Sequence, residues 1–115
     1  MPVPKTSPIT AARDFYGAII RQATLGPRRE LVLRIEAWPH PNPKFGDGDV
    51  VTLRFGAISN YEEVKQFFAT VPTDSLHYLR YSSKSSPRRN VIEMEFDRSE
   101  ARITIVAGNV ARYDK

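Results

Sequence analysis

Two stretches, Leu31-Val32-Leu33-Arg34-Ile35-Glu36-Ala37 and Val51-Thr52-Leu53-Arg54-Phe55-Gly56-Ala57, place an apolar side chain at every second position. A β-strand sends successive side chains to opposite faces, so this period makes one wall of a core and one wet surface. The pattern returns in Ile92, Met94 and Phe96, and again in Ala101, Ile103, Ile105 and Ala107. Alternation of this kind marks a one-sided antiparallel sheet.

The segments between these runs set the connections. Pro39-His40-Pro41-Asn42-Pro43 removes ladder donors, and Gly46-Asp47-Gly48-Asp49 supplies turn chemistry. Strands over Glu30–Trp38 and Val50–Ala57 are therefore expected to pair antiparallel across a long loop. Upstream, Ala11–Leu25 is ambiguous. Ala12, Phe15, Ile19, Ile20 and Ala23 suit a helical stripe with Thr10 as N-cap, yet Thr24-Leu25-Gly26-Pro27 before a strand reads as a hairpin turn. The hairpin, hence a strand, is preferred.

Downstream, Tyr61, Val64, Phe67, Phe68 and Val71 recur every three or four residues and predict a helix over 60–71, ended by Pro72. Asn60 stands where an N-cap accepts from the first turn, and Glu63 stands at the capping-box position. A shorter strand is expected over Leu76–Ser82, with Leu76, Tyr78 and Arg80 opposite His77, Leu79 and Tyr81. A polar loop follows to Asn90, then a hairpin of Val91–Asp97 and Ala101–Ala107 around Arg98-Ser99.

These elements predict an α+β fold: five or six mostly antiparallel strands with one helix, about residues 60–71, packed on one face. The expected core is Leu31, Leu33, Ile35, Val51, Leu53, Phe55, Val64, Phe67 or Phe68, Ile92, Met94, Phe96, Ile103 and Ile105. Met1–Thr10, with Pro2, Pro4 and Pro8, reads as a flexible tail, and residues 11–115 as a single domain of ordinary size. No motif is specific enough to point to a family.

Composition narrows the function. A chain that is 41% hydrophobic and 26% charged is not disordered as a whole. Zero cysteines exclude disulfides, thiolate catalysis and Cys-ligated zinc. No apolar run approaches the roughly 20 residues that span a bilayer, and Met1–Pro8 lacks the apolar stretch of a secretory signal. The expected setting is cytoplasmic, without membrane contact. Net charge is +4, from 17 basic against 13 acidic residues. Twelve of the basic residues are arginine, which favours bidentate recognition of carboxylate or phosphate.

Charge also has an expected geography. A helix of one strand length, followed by a strand climbing from Leu76, brings Pro27-Arg28-Arg29 and Pro87-Arg88-Arg89 to one end of the sheet. Lys84 joins them there, whereas Asp47, Asp49, Asp74, Asp97 and Glu100 collect at the other end. Arg28, Arg29, Lys84, Arg88 and Arg89 are thus the candidate anion- or partner-binding residues. Solvated turn arginines explain the same residues with no partner at all, and Glu62 and Glu63 compete for them.

Other chemistry finds little support. His40 and His77 have no motif-like neighbours, and His77 on a strand suits a half-buried, hydrogen-bonded ring. The Gly46–Asp49 run lacks the full ligand register of a calcium loop. Glu93 and Glu95 share the wet face of their strand, where Arg102 is an expected neighbour. Pro2 at a processed N-terminus suggests a tautomerase-type base, but Pro4 and Pro8 oppose the strand such proteins start there. Trp38, Tyr61, Tyr78 and Tyr81 are the aromatics available for stacking on single strands, yet no RNA-binding signature accompanies them.

No catalytic residue, metal ligand set or cofactor is therefore expected. The preferred function is a small non-enzymatic protein-binding or regulatory module docking an acidic partner through its basic end. Nucleic-acid binding is the alternative, and an enzyme without a recognisable motif the third. A homodimer through sheet edges or opposite ends is compatible with all three.

Overall fold

The computed structural model describes residues 15–37, 49–70, 72 and 74–114. Six strands, β1 (Ile19–Gly26), β2 (Glu30–Ala37), β3 (Asp49–Ile58), β4 (Leu76–Tyr81), β5 (Asn90–Phe96) and β6 (Arg102–Asp114), surround a single helix, α1 (Tyr61–Phe67). They form one sheet in the order β1-β2-β3-β6-β5-β4, every neighbour antiparallel. This is the α+β fold with one helix expected from the alternation. The ambiguous segment is a strand from Ile19 onward. The tail, Trp38, the proline loop with His40, and Gly46–Gly48 lie outside the described residues.

β6 is the organising element. It pairs with β5 through Arg102–Ala107 and with β3 through Ala107–Asp114, so it belongs to two half-sheets in turn. The alternation in sequence ends at Ala107, yet the strand runs on to Asp114. Gly108 lets the chain through this crossing: a Cβ there would stand 3.0 Å from the Ala57 Cβ. Ala57 itself holds φ at 52°, a left-handed conformation costly to a residue with a Cβ.

The sheet also curls until its two outer strands meet. The Gly17 N–H donates to the Leu76 carbonyl at 2.8 Å, and the Leu76 N–H donates to the Ala18 carbonyl at 2.7 Å. The enclosed core contains every residue expected there, with Val64 from the helix, Phe68 from its C-cap and Phe67 half-buried beside them. Phe15, Ala18, Ile20, Ile58, Leu76 and Leu79 join it. Strict alternation would put Leu76 and Leu79 on opposite faces. A register shift between Leu76 and Tyr78 lets both point inward.

Three expectations are corrected. The helix is seven residues long and ends before Phe68, where Ala69 N–H bonds to Gln66 and tightens the last turn. It spans about 10 Å, too little to return a full strand length. β4 consequently runs in the same direction as β2, rather than climbing against it.

Candidate docking surface

The backbone places the arginine pairs on either side of the β6 crossing. Arg28 and Arg29 occupy the β1–β2 turn, and the Arg29 carbonyl accepts from Ile58 N–H at 3.1 Å. Ile58 pairs with Ala107, and Ala107 pairs with Asn90, where the β4–β5 loop rejoins the sheet. Three inter-strand steps, roughly 14 Å of backbone, therefore separate Arg29 from Asn90. Lys84, Arg88 and Arg89 share that loop, whose tip is a tight turn closed by the Ser86–Arg89 bridge. The Ser85 hydroxyl, bonded to both the N–H and the carbonyl of Val91, anchors the loop on β5. The two arginine pairs thus share a level of the sheet without touching.

All five cations are exposed, and among the described residues none makes a side-chain hydrogen bond or ion pair. Three arginines on the strands behave differently, though Arg34 and Arg102 do not. Arg21 meets Glu36 at 2.6 Å, Arg54 meets Glu30 at 2.9 Å, and Arg80 meets Glu93 at 3.4 Å. Glu30, with a smaller contribution from Tyr113, holds the Arg54 guanidinium above its ordinary range.

The acidic groups do not gather as expected. Asp74, Asp97 and Glu100 collect around the β5–β6 turn, but Asp49 begins β3 in the other half-sheet, and Asp47 lies outside the described residues. The β5 strand sets this acidic turn roughly 20 Å from the basic loop. Asp74 has a structural task. Its Oδ2 accepts from the N–H groups of Arg98 and Ser99 at 2.8 and 2.9 Å. Desolvation pushes the carboxyl upward, but these amides outweigh it and hold Asp74 below the usual carboxylate range.

The helix start contributes less than its sequence suggests. Asn60 makes no side-chain cap bond. Its amide instead donates to the Thr104 carbonyl at 2.6 Å and to Glu63 at 3.1 Å, and accepts from Val106 N–H at 3.0 Å. Exposed Glu62 and Glu63 stand in the first turn.

His77 is exposed rather than half-buried, with Tyr16 6.2 Å and Tyr78 5.4 Å away, both edge-on. Arg80 lies over the Tyr78 ring at 3.9 Å, and desolvation followed by a Glu95 hydrogen bond raises the Tyr78 phenol. The shifted register of β4 builds this ridge, which alternation alone does not reveal. Glu95 pairs with Arg102 in register, whereas Glu93 takes Arg80. No group of His, Asp and Glu suited to a metal occurs among the described residues.

No family model, no curated protein and no solved structure matches the chain.

Proposed function

We propose that this chain is a small non-enzymatic docking module that engages an acidic protein through Arg28, Arg29, Lys84, Arg88 and Arg89. One observation carries it: these five cations gather in two loops at one level of the sheet, exposed and without a side-chain partner among the described residues, whereas Arg21, Arg54 and Arg80 on the strands meet glutamates. Free guanidinium groups accept carboxylates bidentately and steer encounter with a negatively charged partner. Glu30, Glu62 and Glu63 near the same crossing favour discrete carboxylates over a continuous phosphate track. A reducing compartment suits a chain without cysteine, and no described helix is long and apolar enough to cross a membrane.

The test titrates the wild type and an Arg28→Ser/Arg29→Ser/Arg88→Ser/Arg89→Ser variant with labelled oligo-glutamate and with single-stranded RNA. Salt-sensitive oligo-glutamate binding that the variant loses supports the module. Tighter RNA binding with a steep salt slope favours the nucleic-acid alternative. Equal binding by both proteins reduces the arginines to solubility.

A further inference from the structure

The outer face of β1, β2, β3 and the second half of β6 carries a positive surplus that the other half-sheet lacks. Arg21, Arg34 and Arg54 share this face with Glu30 and Glu36, and both glutamates are taken, by Arg54 at 2.9 Å and Arg21 at 2.6 Å. Arg34 is exposed and has no side-chain partner among the described residues. On β4, β5 and the first half of β6, Arg80 and Arg102 are balanced by Glu93 and Glu95. The surplus belongs to the first face.

Register fixes its layout. Gln22, Arg34, Thr52 and Tyr113 form one row across four strands, and Thr24, Val32, Arg54 and Ala111 form the next. Arg34 and Arg54 are diagonal neighbours on adjacent strands, about 7 Å apart at the backbone. Tyr113 is 55% exposed and stands beside Arg54. Val32, Thr52 and Ala111, all half-buried, put short side chains between them. Along β2, Arg34 follows the turn residue Arg29 by roughly 16 Å at the rise of a strand.

Building on the docking reading above, we propose that the acidic partner lays an extended segment over this face, from the Arg28–Arg29 turn to Arg34, with Tyr113 at its flank. An extended chain repeats the side chains of one face about every 6.7 Å, close to the step from Arg54 to Arg34. Carboxylates at alternate positions of the segment meet the turn arginines and Arg34, and each guanidinium can hold one bidentately. Tyrosine and arginine are also the residues enriched among the anchors of protein interfaces.

The test follows labelled octaglutamate at low salt by fluorescence anisotropy, on wild type, Arg34→Ser and Arg102→Ser. The last removes the same charge from the other half-sheet. Arg34→Ser is expected to weaken binding about threefold, and Arg102→Ser to leave it unchanged. In amide proton–nitrogen spectra of the wild type, the peptide is expected to shift Val32, Arg34, Thr52 and Tyr113 more than Glu93, Glu95 and Arg102. Equal losses from the two variants reduce the effect to net charge and overturn the proposal. Shifts confined to residues 82–90 overturn it too, as does tighter binding of single-stranded RNA on the same face. In each of these cases the docking reading stands if the quadruple loop-arginine variant still loses octaglutamate. A quadruple variant that binds as wild type does overturns the docking reading and this extension together.

Discussion

Asn60 serves Val106 as a neighbouring strand would: its Oδ1 accepts the Val106 N–H at 3.0 Å just where β3 has ended. The same amide donates to the Thr104 carbonyl, so one side chain satisfies two backbone groups of β6 and pins the start of α1 against it. Asn60→Ala is expected to destabilise the fold by about 2 kcal/mol, because the half-buried backbone of β6 loses its partners. Asn60→Ser separates this role from capping. Serine caps as well as asparagine but is too short to bridge both groups, so its urea midpoint is expected near that of the alanine variant. A serine variant as stable as wild type contradicts the bridge.

The crossing of β3 and β6 stores local strain at Ala57, whose φ is 52°. Ala57→Gly is expected to stabilise the chain by about 0.5 kcal/mol, since glycine adopts that conformation without penalty. Gly108→Ala brings a methyl group within 3.0 Å of the Ala57 Cβ and is expected to cost about 1 kcal/mol or more. The double variant should cost less than the sum, because the first change removes the atom that the second meets. Thermal unfolding of the four proteins completes the cycle, and strict additivity argues against the contact.

The Asp74 carboxylate caps the β5–β6 turn and sits below its ordinary range. A carboxyl lowered in the folded state adds stability that is fully present above its unfolded pKa. That stability is lost as pH falls through the folded one. Asp74→Asn is therefore expected to be destabilised at neutral pH by about 1 kcal/mol, with the gap to wild type closing in acid. Urea titrations at neutral and strongly acidic pH read the difference. A gap that widens in acid reverses the sign and refutes the assignment.

Replacing Arg28, Arg29, Arg88 and Arg89 by serine removes no hydrogen bond or ion pair among the described residues. The quadruple variant is expected to unfold within about 0.5 kcal/mol of wild type. A larger loss in chemical denaturation gives these arginines a structural role and weakens their assignment to docking.

The strands and the core were legible because burial on one face forces a period of two, and every core residue expected on a strand obeys it. What escaped was set by contacts distant in sequence. The second half of β6 lacks the alternation because its inner-side positions include Arg112, and its pairing with β3 fixes it instead. Asn60 looks like a cap in any local window, and only the end of β3 beside Val106 turns it into a bridge. Leu76 and Leu79 share the core through a register shift that no pattern of residue types announces. The five loop cations were visible as a cluster of arginines and a lysine. Their level on the sheet follows from the crossing at Ala107 rather than from the strand directions that the sequence suggested.

Since β6 is simultaneously a partner of β5 and of β3, neither meander is complete without it. Cleavage between α1 and β4 would leave an amino-terminal fragment missing its fourth strand and a carboxy-terminal fragment with half of β6 unpaired. Such halves should reassociate rather than persist alone, and the intact chain should melt in a single cooperative step.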